Sequence, residues 1–264
     1  MKKGLVEKIK TVPWYIKRPR LYPELLRKIK KDIIPAKKRD ISNEKAIAEA
    51  WCTEHAISEE EAIFRITEQK NLASIEAEYT EIFSQANEVV KSCPVEMGTQ
   101  GALNLLYRLS EHISAKKVIE TGVAYGWSSL AILLSISKRG DSLLISTDMP
   151  YPNRNNDKYV GCVVPQKYRS NWKIFNRADR DALPKALNIL KEIDLCHYDS
   201  DKSYDGRMWA YPILWKALRK GGIFISDDIA DNVAFRDFVN TLNLNPVIVK
   251  MGGEKYVGIL LKPS

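Results

Sequence analysis

The stretch that most constrains the fold is Val118–Ser129, in which a short apolar segment leads into two glycines and then into an apolar run. Residues 116–121 begin with two lysines and continue through the β-branched pair Val118 and Ile119, which is typical of a short buried strand. Both glycines lie in residues 122–126, and residues 128–137 predict a helix with two serines in its first turn. Because glycine lets the backbone approach closely and helix N-termini expose free N–H groups, this arrangement favours a ligand with a carboxylate or phosphate.

The spacing of the two glycines argues against two common nucleotide sites. A dinucleotide site needs G-x-G-x-x-G, and a phosphate loop needs Gly-Lys followed by Ser or Thr. The chain instead has Glu-x-Gly-x-x-x-Gly from Glu120 to Gly126. On this stretch alone, a βα turn of some other doubly wound protein stays an alternative.

Length and composition indicate a globular protein. The 264 residues can form one ample domain with an extension or two small domains. The hydrophobic content of 45% and charged content of 28% are ordinary for a soluble domain. No apolar run approaches the roughly 18 residues of a membrane span. Charges at Glu7, Lys8 and Lys10 interrupt any signal-peptide core, so we expect a cytoplasmic protein.

Cysteines and histidines give no sign of a metal site. The four cysteines are scattered without a C-x-x-C pair, and the three histidines lack metal-ligand spacing. We therefore interpret the cysteines as structural thiols in a reducing compartment and not as ligands of a zinc site.

The positive charge is concentrated at the N-terminus. Residues 1–45 contain fifteen Lys/Arg and five Asp/Glu, a net of +10, so the net charge of +8 leaves −2 for the remainder. A nucleic-acid groove across an active site is therefore not expected. The segment also has aromatics around Trp14 and a predicted basic helix over 24–34. This segment is either a solvated surface or a contact surface for an anionic membrane, an acidic partner or the chain's own domain. Nucleic acid is the least favoured of these partners.

A helical extension precedes an alternating region. Residues 43–54 and 58–91 read as helical, the second after a capping-box pattern, and a further helix is predicted over 99–113. A proline and a glycine between them mark a boundary, so we expect an extension over 1–93 and a second domain over 94–264.

Further strands are predicted at 143–147, 172–175, 193–198, 223–226, 246–251 and 256–261, and helices at 181–191, 207–219 and 232–241. This alternation predicts an α/β fold with a mainly parallel sheet and helices on both faces. The last two strands, joined across Gly252 and Gly253, predict a closing antiparallel hairpin.

Carboxylates follow three of the predicted strands, namely Asp148, Asp199 with Asp201, and Asp227 with Asp228. The carboxyl ends of parallel strands meet at one edge, where such sheets bind ligands. Asp148 is placed to accept hydrogen bonds from the ribose of an adenosine, with a helix or turn cap as the alternative. Asp199, Asp227 and Asp228 would raise one another's pKa unless a cation neutralised them, and Mg²⁺ prefers such oxygen ligands. The alternative is that they point apart.

The motifs together resemble those of class I S-adenosylmethionine (SAM)-dependent methyltransferases. The glycine turn is similar to their first motif, and residues 194–204 and 221–228 resemble the strand-four and strand-five motifs of metal-dependent O-methyltransferases of the catechol, caffeoyl-CoA and macrolide-sugar type. The similarity covers about residues 95–262. It implies a Rossmann-like, doubly wound, mainly parallel seven-stranded sheet with a C-terminal antiparallel hairpin, after an N-terminal helical extension.

The resemblance also implies site residues. It places around SAM the residues Glu120, Gly122, Ala124, Tyr125, Gly126, Ser128, Asp148 and Asp179. It makes Asp199, Asp227 and Asp228 ligands of Mg²⁺ or another divalent cation. Lys202 falls at the position of a catalytic lysine, with Asp201 or water as the alternative base and a salt bridge as the alternative role. For Asp179, a helix N-cap is the alternative.

The implied activity is methyl transfer from SAM to a hydroxyl of a small acceptor, such as a sugar, a natural-product diol or a catechol. The alternative is a non-catalytic SAM-binding or partner-binding protein, and an NAD-dependent oxidoreductase is more distant. The long polar connection over 150–171 carries aromatics that either line an acceptor site or pack at the solvent-exposed surface, namely Tyr151, Tyr159, Tyr168 and, just after it, Trp172. Whether this loop is a lid stays open. The acceptor and any homo-oligomer stay open.

Overall fold

The computed structural model describes residues 11–33 and 39–264, so the interrupted apolar start at residues 1–10 lies outside the described residues. The helices before the main sheet are α1 (described over 11–16), α2 (Tyr22–Ile33), α3 (Ile41–His55), α4 (Glu59–Thr67), α5 (Ile75–Glu78), α6 (Thr80–Ser92) and α7 (Leu103–His112). A two-residue strand, β1 (Ala56–Ile57), lies between α3 and α4. None of these or the later described helices is both long and apolar enough to span a membrane.

Strands and helices then alternate as expected. The elements are β2 (Lys117–Thr121), α8 (Trp127–Ile136), β3 (Leu143–Thr147), β4 (Trp172–Phe175), α9 (Asp179–Leu190), β5 (Ile193–Tyr198), α10 (Tyr204–Ala217), β6 (Leu218–Ser226), α11 (Ala234–Leu242), β7 (Val247–Lys250) and β8 (Tyr256–Leu261). The strand order is β1-β7-β8-β6-β5-β2-β3-β4. Only β8 runs antiparallel to its neighbours, β6 and β7. The predicted doubly wound sheet with a closing hairpin is confirmed.

The sheet has one more strand than the sequence predicts. Ala56 and Ile57 pair in parallel with Ile248 and Val249 of β7. Two residues are too few for a periodicity signal, so the sequence could not distinguish this strand from a loop between two helices.

The predicted helical stretch over 58–91 is three helices. Ser58 caps α4 as expected, its side chain accepting a hydrogen bond from the Glu61 amide. The helix ends where Glu68 adopts a left-handed conformation (φ 61°), and Ser74 caps the next helix. No proline or glycine marks this break, which is why the sequence pattern extends across it.

Hydrophobic cores cover both faces of the sheet. Helices α4–α8 contribute to one core and α3 with α9–α11 to the other. The extension belongs to these cores, because Phe83 of α6 stacks on Trp127 of α8 with ring centroids 5.9 Å apart. The domain boundary near residue 93 stays a prediction. All four cysteines are free, and Cys52 and Cys196 are buried among apolar side chains.

We expect Gly258→Ala to destabilise the protein. A Cβ atom at Gly258 on β8 would lie 2.3 Å from Cζ of Phe235, a fully buried ring that cannot move without disturbing its neighbours. Overpacking of this kind lowers the free energy of unfolding by about 1–3 kcal/mol, measurable as a shift in the urea midpoint. Gly140→Ala is the matched control, since nothing lies within 4 Å of the added atom. Equal midpoints for the two variants would contradict this packing.

Candidate functional site

A cavity of about 1420 Å³ opens at the carboxyl edge of the sheet. The turn after β2, the ends of β3, β5 and β6, the starts of α9 and α10, helix α2, residues 97–102 and the β7–β8 turn all line it. Ligand sites commonly measure about 300–1,000 Å³. This cavity is therefore large enough for a cofactor together with a second molecule.

The two glycines of the turn are required by contacts within the protein. Gly122 has φ +80°, and a Cβ atom there would lie 2.2 Å from the carbonyl oxygen of Asp199. Gly126 has φ +92°, and its Cβ would lie 2.8 Å from Cα of Gly161. The sequence predicted close approach to a ligand instead. Gly122 does line the cavity, whereas Gly126 is not among the lining residues.

The rest of the turn faces the cavity. Ala124, Tyr125 and Ser128 all line it, and Ala124 adopts a left-handed conformation (φ 50°). The Tyr125 hydroxyl donates a hydrogen bond to the carbonyl of Val95 (2.9 Å), which fixes its ring at the wall.

Glu120 lies beneath the turn and does not line the cavity. Its side chain is fully buried and accepts hydrogen bonds from the hydroxyls of Ser129 and Ser146. Its Oε1 is 3.6 Å from Nδ1 of His197, which does line the cavity. Burial lowers the pKa of His197, but the Glu120 carboxylate outweighs this effect and raises it. Sequence reasoning missed His197, although adjacent strands β2 and β5 place it directly opposite Glu120.

Asp148 is held by the glycine turn. Its Oδ1 accepts hydrogen bonds from the amides of Val123 (2.9 Å) and Ala124 (3.4 Å), and it lines the cavity. Burial raises the pKa of Asp148 despite these hydrogen bonds. Asp148 therefore couples the end of β3 to the turn after β2, at the position predicted for a ribose contact.

Asp179 is the first residue of α9 but not its cap. The N-cap is Ala178, and the Asp179 carboxylate accepts hydrogen bonds from Thr147 Oγ1 (2.8 Å) and from the Ser200 hydroxyl. Burial raises the pKa of Asp179 to about 6. The Asp179 side chain is therefore held by these two hydroxyl groups and does not cap the helix. It lies in the cavity wall.

Lys202 lies between two of the three strand-end carboxylates. Its Nζ is 3.3 Å from Asp199 Oδ1 and contacts Asp228 Oδ2. Burial and the charge of Asp227 raise the pKa of Asp199 to about 6. Burial lowers the pKa of Lys202, but the charges of Asp199 and Asp228 outweigh this and raise it. The cation that neutralises these carboxylates here is an ammonium group.

A buried arginine, which sequence reasoning missed, shapes the end of β6. Arg207 of α10 is fully buried, and its Nη2 donates hydrogen bonds to the carbonyl oxygens of Asp227 (3.3 Å) and Asp228 (2.8 Å). Asp228 has φ +48°, and its amide donates to Asp227 Oδ1 (2.9 Å). Arg207 is about twenty residues away in the sequence from the carbonyl groups that it binds, so no local sequence pattern indicates this role.

Asp201 organises the start of α10. Its Oδ1 accepts a hydrogen bond from the Ser203 amide (3.0 Å), and its carboxyl group packs on Gly206, where a Cβ would be 2.3 Å away. Asp201 also lines the cavity, so it has both this structural role and a place in the candidate site.

Three carboxylates at the rim of the cavity are the candidate ligands of a divalent cation. Asp199, Asp227 and Asp228 supply carboxylate oxygens at one rim, and Asp199 Oδ1 is buried without a hydrogen-bond partner in the described part of the chain. These donors suit a hard cation in chemistry. In residues 11–33 and 39–264, however, no group of three His, Cys, Asp or Glu side chains is arranged to hold a metal ion.

Of the aromatics predicted to line an acceptor site, only Tyr151 is among the described lining residues. Trp172 instead packs over Gly161 and donates its Nε1–H to Ser146 Oγ (2.8 Å). Tyr159 and Tyr168 pack against the core on the α8 side of the sheet.

Asp179 should make the stability of the ligand-free protein depend on pH. Its pKa of about 6 exceeds the ordinary value of 3.8, so the folded state binds more protons and loses stability as pH rises through this interval. The unfolding free energy of Asp179→Asn minus that of the wild type should therefore increase between pH 4 and pH 7, measured by urea denaturation. A difference that stays constant with pH would contradict the burial of this carboxylate.

Comparisons with known proteins agree with this geometry. Residues 119–229 match the family model of a methyltransferase domain. No curated protein matches the chain. Among solved structures, cofactor-bound Rv0187 from MTB is 14% identical with a TM-score of 0.54, covering 70% of this chain and 90% of that one. The SAM-bound O-methyltransferase TomG from Streptomyces achromogenes, involved in tomaymycin synthesis, is 14% identical with a TM-score of 0.53, covering 85% and 100%.

An O-methyltransferase from Bacillus cereus in complex with S-adenosylhomocysteine (SAH) is 12% identical with a TM-score of 0.50, covering 81% of this chain and 100% of that one. At these identities the solved structures establish the fold alone. The family match covers the glycine turn and the acidic strand ends, and it identifies residues 119–229 as a methyltransferase domain.

Proposed function

We propose that the chain is an O-methyltransferase that transfers the methyl group of SAM to a hydroxyl of a small acceptor. The observation that carries the proposal is one cavity with the glycine turn and Asp148 on one wall and Asp199, Asp227, Asp228 and Lys202 on another. The first wall suits SAM, and the second suits a hydroxyl that must become nucleophilic. The O-methyltransferase names of two structural neighbours support this choice.

The proposed SAM contacts are the lining residues of the first wall. They are Gly122, Ala124, Tyr125, Ser128, Asp148 and Asp179. Gly126 and Glu120 do not line the cavity, so their contribution is to hold the turn: Gly126 allows its close packing and Glu120 binds serines beneath it.

The requirement for Mg²⁺ stays part of the proposal. Asp199, Asp227 and Asp228 would hold the ion, and the observation that supports it is the buried Oδ1 of Asp199, which has an ion-pair contact with Lys202 but no hydrogen bond among the described residues. A bound divalent ion lowers the pKa of an acceptor hydroxyl and orients it. A chelating pair of oxygens, as in a vicinal diol, a sugar or a catechol, suits such a site.

The residues of this chain would then position the acceptor and take up its proton. Methyl transfer from a sulfonium needs the acceptor oxygen in line with the methyl group, which the two walls provide by holding both molecules. Lys202 is the proposed base, because its Nζ lies at the carboxylate rim. The carboxylates of Asp199 and Asp228 raise the pKa of Lys202 and keep its ammonium group protonated. Lys202 can therefore act as a base only when these carboxylates no longer bind it. Asp201 is the alternative base.

The remaining expectations stay predictions. They are a cytoplasmic location and contact of residues 1–45 with an anionic membrane or an acidic partner, while the formation of a homo-oligomer stays open. The alternative function is a non-catalytic SAM-binding or partner-binding protein, which would bind SAM without producing SAH from any acceptor.

We expect Asp227→Asn to lose divalent-ion binding and turnover while SAM binding persists, because the proposed SAM contacts lie on other elements. Mn²⁺ binding followed by electron paramagnetic resonance, SAH affinity by calorimetry, and SAH production with catechol and diol acceptors are the measurements. Asp231→Asn is the matched control, an acid just beyond the same strand end. Full activity of the wild type in excess EDTA would refute the metal role.

We expect Lys202→Ala to retain SAH binding and to lose activity by about 10²–10⁴-fold, the usual contribution of a positioned base. Raising the pH should partly restore its rate, because hydroxide can accept the acceptor's proton. The measurement is a pH–rate profile of variant and wild type with the same acceptor. An unaffected Lys202 variant would transfer the role to Asp201 or to water.

A further inference from the structure

We propose that residues 14–30 form an outer wall of the SAM site that closes over the adenosine end of the cofactor, and that the Arg27–Asp181 ion pair controls cofactor exchange. Residues 14–30 are called the N-terminal strap below. This inference rests on the SAM-binding part of the proposed function and not on the metal, the base or the acceptor.

The strap lies directly on the cavity. Four side chains of α2 line it: Glu24, Arg27, Lys28 and Lys30. The strap is also anchored by an apolar cluster of its own, in which Trp14, Tyr15 and Leu21 are buried and Leu25 and Met149 pack against them. A segment that buries its aromatic residues on the domain and shares the cavity wall is part of the site.

The anchors of the strap flank the two residues proposed to bind adenosine. Met149, which packs on the strap cluster, directly follows Asp148. Asp181, the partner of Arg27, lies two residues after Asp179 in the first turn of α9. Asp148 and Asp179 therefore line the same cavity as the strap, and an adenosine held by them would lie next to it.

The Arg27–Asp181 contact is a two-point ion pair. Nη1 of Arg27 donates to Oδ1 of Asp181 (3.1 Å), Nη2 contacts Oδ2, and Nε donates to Glu24 Oε2 (2.9 Å). The Arg27 side chain is 32% exposed and that of Asp181 is 18% exposed. Bidentate geometry gives the pair direction, while partial exposure keeps it weak enough to open.

Two further arginines hold the other end of the strap. Arg18 and Arg20 contact the two carboxylate oxygens of Asp157 at 3.0 Å and 3.2 Å. Arg177 donates to the carbonyl oxygen of Arg20 (3.5 Å). The strap is thus held to the domain at both ends by contacts that salt can screen, as expected of a wall that must open to release SAH.

The test uses the full-length protein and SAH as the probe. We expect Arg27→Asp and Asp181→Arg each to raise the SAH dissociation rate by roughly 5- to 10-fold, the scale of one broken bidentate pair. The double swap, with both substitutions, should restore the rate to near that of the wild type. Arg65→Asp is the matched control, because Arg65 pairs with Glu61 (2.7 Å) at an exposed position that does not line the cavity.

The rate at which SAH leaves the wild-type protein should also rise with salt, and this dependence should be weaker in Arg27→Gln, in which only the arginine contacts with Asp157 are left to be screened. A salt-independent rate, or unchanged rates in the charge-reversed variants, would overturn the strap proposal and leave the cofactor assignment standing. If the wild type binds no SAH, the cofactor assignment and the strap proposal both fail. Circular dichroism of each variant separates loss of the contact from loss of the fold, and the double swap supplies the result if a single variant unfolds.

Discussion

The site depends on the close packing of the turn after β2 against the ends of its neighbouring strands. The Gly122 amide donates to the carbonyl of Thr147 in β3 (2.8 Å), and the Asp199 amide donates to that of Thr121 (2.9 Å). Gly122 can take this place only because it lacks a Cβ that would meet the Asp199 carbonyl. One backbone constraint therefore sets both walls of the cavity, since the proposed cofactor contacts begin at this turn and the acidic rim begins at Asp199.

Charge at the rim is balanced by the protein itself. Three carboxylates that share one edge repel one another, and burial adds to the cost of their ionisation. Lys202 offsets part of this through its two carboxylate contacts, and Arg207 adds a buried positive charge beneath the carbonyls of Asp227 and Asp228. Lys202 and Arg207 stabilise the three carboxylates when no ligand is bound. A bound divalent cation would have to displace these positive groups or add to their effect.

The sequence predicts what is local and periodic. The alternation of strands and helices, the hairpin across Gly252 and Gly253, and the acidic strand ends follow from patterns that lie within a few residues of one another, and the fold that they predict is confirmed. The two-residue strand β1 has no period to detect. His197 and the cavity-facing wall of α2 depend on contacts between distant parts of the chain, which one sequence without its fold does not reveal.

The uneven charge of the chain acquires a structural reason in the same way. Residues 1–45 have a net charge of +10 and the remainder has a net charge of −2, which suggests that the basic segment binds an acidic surface. The domain supplies such partners, since Arg18, Arg20 and Arg27 bind carboxylates on its surface. Part of the charge asymmetry is thus used to hold this segment to the rest of the chain.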